Sequence, residues 1–279
     1  MMEIYYPDGE TSIPVLTITG DGLTFSGENK QEVEVYIIIT DTVNSVSFND
    51  LKLSGSYDKG DALLFVKSED PLTDPLTISI EGECYFERTG NAHSTLRIER
   101  PVNFAGTGED ATLEIHASWR NAIFSDLSNI VFNNLNLIID VKVPEGDEWG
   151  FASAFDMAAG NSVSQVECSF VNSKVSIESD NMGFNGTSLA VKIKNSTFVM
   201  NCKKQAGGGP DEIYDAYIIG FTVDNSNVGI TAGQGLWING EAAFTGDSQI
   251  KLTATEDDSV AFCATEGITV DEGYDLGGA

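Results

Sequence analysis

Two short runs of alternating apolar and polar residues meet at an asparagine in the stretch Val191-Lys192-Ile193-Lys194-Asn195-Ser196-Thr197-Phe198. Alternation with a period of two is typical of a β-strand that buries one side. Asparagine tolerates the left-handed backbone conformation, and its amide can hydrogen-bond neighbouring backbone or the equivalent asparagine of a stacked unit. The stretch therefore predicts a strand, a tight bend and a second strand.

The same order of apolar and polar positions occurs five times along the chain, at residues 46–53, 130–137, 168–175, 191–198 and 221–228. The bend residues of the last four segments are separated by 38, 23 and 30 positions, and the separation of 84 positions from Asp50 to Asn134 leaves room for more degenerate units. A strand–bend–strand unit cannot bury its apolar side alone, so units that recur at this spacing must stack. We expect the phenylalanines at the repeated apolar positions, Phe48, Phe132, Phe170 and Phe198, to lie inside the stack.

The repeat predicts an all-β chain that forms a single-stranded parallel β-helix, a solenoid with loop insertions at 67–74, 143–160 and 203–215. We expect one domain over 1–279, with 1–30 as a cap or first coil, 31–240 as coils and 241–279 as the last coil or cap. Only 151–159 is a modest candidate for a helix. The alternative is a β-sandwich with asparagine turns, but hairpins favour Asn-Gly or Asp-Gly turns, and none of these lies at a repeated asparagine.

The charge balance excludes several classes of function. The 279 residues include 15 Lys and Arg against 43 Asp and Glu, a formal net charge of −28. A nucleic-acid partner or an anionic membrane surface would require basic clusters. The longest apolar run, at 35–39, is far shorter than a membrane-spanning helix.

Two cellular locations remain open from the residues. The start, Met1-Met2-Glu3-Ile4-Tyr5-Tyr6, lacks the basic and apolar regions of a secretory signal. The chain is then either cytoplasmic or a mature segment of an exported protein. Its acidity and its 28 glycines favour an extracellular or cell-surface location, with a signal peptide already removed.

The four cysteines, Cys84, Cys168, Cys202 and Cys263, have spacings that match neither a zinc site nor a CxxC redox pair. We expect them to be small buried hydrophobic residues within strands.

The central part of the chain resembles a bacterial family. The resemblance rests on segments 94–98, 102–108 and 111–115, where alternating strands lead into Gly106-Thr107-Gly108. Segments 16–27, 121–125 and 130–137 have a similar pattern. They resemble the bacterial surface proteins described as carbohydrate-binding domain-containing, over about residues 15–140. The resemblance implies a right-handed parallel β-helix, an extracellular setting and binding of acidic or cellulosic plant polysaccharide, sometimes with calcium.

Aromatic side chains outside the repeated strands are the candidates for binding sugar rings, because pyranose rings present apolar faces. The predicted ligand-binding residues are Trp119, Arg120, Trp149, Tyr214 and Tyr217. For Trp119 and Trp149, packing in a cap or core is an equally good interpretation. Trp237 follows an alternating strand, and we expect it in the core.

Acidic residues provide the candidates for a metal. Asp147, Glu148 and Asp156 lie around one predicted loop and could supply oxygen ligands to calcium, which is the cofactor we consider. Similar groups occur at 211–215 and 256–258, and a solvated surface is the alternative for each. No residue is assigned a catalytic role.

The function predicted from the sequence is non-catalytic binding or adhesion to a polysaccharide, from plant cell walls or a similar source. Two alternatives stay open. One is a polysaccharide lyase or hydrolase on the same scaffold, which needs convergent charged side chains. The other is a structural spacer in a cell-surface or fibre protein.

Overall fold

The computed structural model describes residues 3–5, 15–18, 20–28, 36–55, 62–90, 94–144, 152–159, 164–208 and 218–271. These residues form 25 strands and no helix: β1 Glu3–Tyr5, β2 Val15–Ile18, β3 Leu23–Glu28, β4 Tyr36–Ile39, β5 Ser45–Gly55, β6 Ala62–Val66, β7 Leu76–Glu81, β8 Glu83–Thr89, β9 Ser94–Ile98, β10 Val102–Gly106, β11 Thr112–Ser118, β12 Ile123–Asp126, β13 Ile130–Asn133, β14 Asn136–Lys142, β15 Ser153–Ala158, β16 Val166–Val171, β17 Lys174–Ser179, β18 Met182–Thr187, β19 Leu189–Lys194, β20 Thr197–Gly207, β21 Ile218–Asp224, β22 Asn227–Thr245, β23 Gln249–Ala254, β24 Phe262–Ala264 and β25 Gly267–Val270.

The strands pair as stacked coils. From β6 to β16, each strand pairs in parallel with the strand three places later in the chain. Three ladders result: ladder 1 contains β7, β10, β13, β16 and β19, ladder 2 contains β8, β11, β14 and β17, and ladder 3 contains β6, β9, β12, β15 and β18. The all-β, parallel part of the prediction is confirmed, and the sandwich alternative is wrong.

Several strands at the two ends of the stack are longer than one side of a coil. β5 joins ladders 1 and 2, whereas β22 runs through ladders 2, 3 and 1 in turn. At the start of the stack, β1 pairs antiparallel with β2, and β2 in turn pairs in parallel with β4. The strands β23, β24 and β25 continue the three ladders to residue 270.

Three local predictions are wrong. The helix candidate at 151–159 and the loop predicted at 143–160 both contain the strand β15, whose Ala154, Phe155 and Met157 are buried in the core. The loop predicted at 203–215 begins later than expected, because β20 extends to Gly207. In both places the coil needs a third strand, and pairing with neighbouring coils overrides the weak local pattern.

The repeated bend residues form the corner between ladders 1 and 2, as predicted. The φ angle lies between 46° and 56° at Asp50, Asn134, Asn172, Asn195 and Asn225. The Asn195 side chain donates Nδ2–H to Asn172 Oδ1 one coil away, at 3.1 Å. Two degenerate units use glycine instead, with φ of 65° at Gly82 and 62° at Gly246. Residues that tolerate the left-handed region therefore set this corner.

A column of serines next to the asparagines was not predicted. Ser173, Ser196, Ser226 and Ser248 are buried in successive coils. Each hydroxyl accepts the backbone N–H of the residue one coil earlier, for example Ser173 N to Ser196 Oγ at 3.0 Å. Each hydroxyl also donates to a nearby carbonyl. The column satisfies backbone groups that the corner would otherwise bury without a partner.

The core is a continuous stack of apolar side chains. Phe104, Phe132 and Phe170 occupy equivalent positions in three coils, and successive ring centroids lie 5.3 and 5.5 Å apart with nearly parallel planes. Phe48, Phe132, Phe170 and Phe198 are all fully buried, which confirms their predicted place.

Three cysteine predictions are confirmed. Cys84, Cys168 and Cys202 are buried, free thiols within strands, and burial raises the pKa of each of them. Cys263, in β24, is only partly buried.

Candidate functional site

One row of outward-facing side chains crosses the coils on ladder 3. Strands of neighbouring coils lie about 4.8 Å apart, so side chains in register form rows along the stack. The register places these residues in one row, which we call the ladder-3 row: Phe65, Arg97, Phe124, Asp156 and Asn185. Further along, Phe184 pairs with Gly207 and Gly207 with Leu236. Asn185 directly follows Phe184 and Trp237 directly follows Leu236, so the same register carries the row from Asn185 to Trp237.

The Arg97 guanidinium makes cation–π contacts with two aromatic rings of this row. Its guanidinium carbon lies 4.9 Å from the ring centroid of Phe65 and 5.9 Å from that of Phe124. Its Nη2 donates to Glu99 Oε1 at 2.6 Å. The cation–π contacts and the ion pair fix the planes of the two rings on the outward side.

Asp156 supplies the carboxyl group of the row. Its Oδ2 accepts a hydrogen bond from Asn121 Nδ2 at 2.7 Å, and its Oδ1 accepts one from Asn185 Nδ2 at 3.1 Å. Burial raises the pKa of Asp156 to about 6, although both amides favour the charged form. Asn121 Oδ1 also accepts from Ser153 N and Ser153 Oγ, which orients its amide toward Asp156.

Replacement of Asp156 by asparagine is expected to stabilise the protein at neutral pH. The pKa of Asp156 is raised from 3.8 to about 6 in the folded protein, so the group favours folding below pH 4 and this contribution is lost as the pH rises through about 6. With allowance for partial exposure, Asp156→Asn should gain about 1 to 2 kcal/mol at pH 7 and nothing at pH 4. Urea unfolding at both pH values measures the difference.

The exposed neighbour Asp126 supplies the matched control. Asp126→Asn should shift the unfolding midpoint equally little at the two pH values. A pH-independent effect of Asp156→Asn would contradict the assignment of a buried charge at this position.

A groove lies where the ladder-3 row reaches Trp237. Its volume is about 220 Å³, and it is lined by Gln205, Gln234, Gly235, Leu236, Trp237, Glu256, Asp257, Asp258, Ser259 and Val260. Gly235 admits the turn 255–261 against β22, because a Cβ there would collide with the backbone carbonyls of Val260 and Ala261. A Cβ at Gly233 would collide with the Glu256 carboxylate of the same turn and with backbone carbonyls of β20. The groove thus combines one aromatic face, two amides and three carboxylates.

The placement of Trp237 corrects a prediction. Leu236 and Ile238 are buried on either side of it, and Trp237 is only partly buried. Strict alternation of sides turns the indole outward, since its two apolar neighbours occupy the inside.

Only part of the predicted site lies within the described residues. Trp119 and Arg120 are partly buried at the corner between ladders 2 and 3, where Trp119 has φ of 80° and donates its backbone N–H to Lys142 O at 2.9 Å. The next residue, Asn121, connects this corner to Asp156. Trp149, Tyr214, Tyr217, Asp147 and Glu148 lie outside the described residues.

A second polar cluster lies on the outward side of ladder 2. The rings of Tyr85 and His116 are 4.8 Å apart. His116 lies 3.4 Å from Glu114 Oε2 through Nε2 and 3.7 Å from Asp140 Oδ2 through Nδ1. Burial, and after it the charge of Glu87, raises the pKa of Tyr85 to about 12. The tyrosine is therefore a neutral hydrogen-bonding group at all ordinary pH values.

Comparison with known proteins gives no match: no family model matches the chain, and neither a curated protein nor a solved structure is similar to it. Within the described ranges, no three His, Cys, Asp or Glu side chains are grouped as a metal site would require. No helix in the same parts of the chain has the length and apolarity needed to cross a membrane.

Proposed function

We propose that the chain is a non-catalytic polysaccharide-binding module, and that the glycan binds along the ladder-3 row. The observation that carries this proposal is the groove at Trp237. An indole edge or face packs against the apolar side of a sugar ring, while amides and carboxylates pair with its hydroxyl groups. Gln205 and Gln234 can both donate and accept, as a sugar hydroxyl can.

The rest of the row favours a polymer over a single sugar. Asp156 and Asn185 face outward on the same ladder, and Asp156 lies three coils from Trp237, or about 14 Å at the usual spacing between strands. Phe124 adds a second aromatic face next to Asp156. A chain of sugars laid along the stack would meet aromatic and polar groups in turn.

At Asp156, binding without catalysis is favoured over the lyase or hydrolase alternative. Glycoside hydrolysis uses two carboxyl groups on either side of the scissile bond. The row neighbours of Asp156 are Phe124 and Asn185, so the adjacent coils supply an aromatic ring and an amide instead of a second carboxyl group. The raised pKa of Asp156 follows from burial between these neighbours.

We further propose that the coils wind in the right-handed sense, because connections between parallel strands of one sheet are almost always right-handed. An extracellular or cell-surface location and a plant cell-wall glycan follow from the family resemblance of residues 94–115. A role for calcium at Asp147, Glu148 and Asp156 stays a prediction from the sequence.

The groove can be tested with two variants. Gln234 is exposed, so Gln234→Ala should leave the unfolding midpoint unchanged and weaken glycan binding about fivefold to tenfold, since one good hydrogen bond is worth about 1 kcal/mol. Trp237→Ala should abolish detectable binding, and Trp237→Phe should restore part of it. Affinity electrophoresis in gels containing soluble cellulose derivatives or pectin measures both effects.

The control is Gln249→Ala, which removes an exposed amide from ladder 2. It should bind as the wild type does. Equal migration of all variants in every glycan gel, with no retardation of the wild type, would contradict the proposal and favour the structural spacer.

A further inference from the structure

We infer that the groove at Trp237 selects an uncharged glycan and rejects polyuronates; this inference rests on the proposed function. The resemblance leaves both acidic and cellulosic polysaccharides as ligands, whereas the chemistry of the groove separates them.

The lining of the groove carries negative charge alone. Glu256, Asp257 and Asp258 are exposed at its rim, and the other residues that line it are neutral. A sugar carboxylate that enters the groove would therefore meet three like charges and no Lys or Arg among the lining residues. Removing an anion from water without a cationic partner is unfavourable.

The acidic rim is fixed by the backbone of the turn. Glu256 N donates to Gly233 O at 3.0 Å, and Ser259 Oγ lies within hydrogen-bond distance of Gly233 O at 3.2 Å and of Glu256 O at 2.6 Å. Asp258 has the left-handed φ of 61°. These contacts hold the backbone of the turn against β22, so the three acidic residues stay at the rim of the groove.

The whole chain reinforces the local charge. A net charge of −28 repels a polyanion at distances up to the Debye length, about 10 Å at moderate ionic strength. An uncharged chain meets no such barrier, and its hydroxyl groups can donate to the rim carboxylates while a ring packs on Trp237. The hydroxyl groups of an uncharged glycan can therefore pair with both the amides and the carboxylates of the groove.

Binding measurements with three soluble probes test the inference: hydroxyethyl cellulose as the uncharged glycan, polygalacturonate as the polyuronate and chitosan oligomers as the cationic glycan. Wild-type protein should bind hydroxyethyl cellulose with little dependence on salt, and polygalacturonate at least tenfold more weakly. Glu256→Gln combined with Asp258→Asn should reduce this preference about threefold or more, because two repulsive charges close to the ligand are removed.

The matched control is Glu109→Gln combined with Asp110→Asn, which makes the same change of net charge in an exposed turn between β10 and β11. This control should leave the preference unchanged. If both double variants reduced the preference for hydroxyethyl cellulose equally, the role of the groove would be overturned, because the preference would then depend only on the overall charge.

Other outcomes separate the inference from the proposed function. If polygalacturonate bound as tightly as hydroxyethyl cellulose, and Gln234→Ala weakened this binding, the inferred ligand class would be overturned and the binding function would stand. If chitosan bound most tightly, and only the Glu256→Gln, Asp258→Asn variant lost this binding, the ligand would be an amino sugar. The inferred ligand class would then be overturned and the binding function would stand. Absence of binding to all three probes would overturn the proposed function itself.

Discussion

Phe170→Ala is expected to lower the free energy of unfolding by about 3 to 5 kcal/mol, the usual cost of truncating a fully buried aromatic side chain. The Phe170 ring lies 5.5 Å from the ring of Phe132, 5.7 Å from Phe155 and 5.1 Å from Phe198, measured between centroids. Its loss would leave a cavity enclosed by three aromatic rings held in rigid, paired strands. Those strands can relax only slightly, so the cost should lie near the upper end of this range.

Chemical denaturation followed by tryptophan fluorescence and circular dichroism measures the effect of Phe170→Ala. Val199→Ala is the matched control, because Val199 is 40% exposed on the outward side of ladder 2. Its expected cost is below about 0.5 kcal/mol. Similar losses for the two variants would mean that the phenylalanine column does not form the core of the stack.

Arg100→Met is expected to cost about 3 to 5 kcal/mol, because a buried charged donor serves three backbone acceptors. Arg100 is fully buried. Its Nη1 donates to Asp41 O at 3.0 Å and to Val43 O at 2.8 Å, and its Nη2 donates to Asp74 O. These carbonyls belong to the corners of the two preceding coils, so one side chain connects three coils.

The methionine side chain fills much of the space of Arg100 but can donate to none of the three carbonyls. Lys142→Met provides the control, since Lys142 is 57% exposed and pairs with Asp140 on the surface at 2.7 Å. A surface ion pair of this kind contributes about 0 to 1 kcal/mol. A cost of Arg100→Met no larger than that of Lys142→Met, in the same urea titration, would exclude the proposed connection between coils.

Much of the fold could be predicted because its determinants are local. The bend at Asn195 requires only a residue that tolerates positive φ. The strands on either side require only that apolar and polar residues alternate, which adjacent residues show. The same reasoning located Phe132 and Phe170 in the core. The serine column escaped prediction because a serine in a sequence gives no sign of whether its hydroxyl bonds to water or to the coil beside it.

The candidate site could be predicted only in part. Asp156 and the corner at Trp119 were identified by residue type, and the groove at Trp237 was missed. The sequence prediction places Trp237 in the core because it follows an alternating strand. The buried flanking residues Leu236 and Ile238 were the available signal, since alternation turns the residue between them outward.

The sequence by itself determined that this chain forms strands joined by asparagine bends, that these units stack, and that their phenylalanines lie inside. Only the tertiary structure decided which outward residues meet. Asp156 contacts Asn121 and Asn185, 35 and 29 residues away, because coils of unequal length are brought into register by backbone pairing. Side-chain rows across coils depend on that register, and the length of each connecting segment hides it from any local pattern.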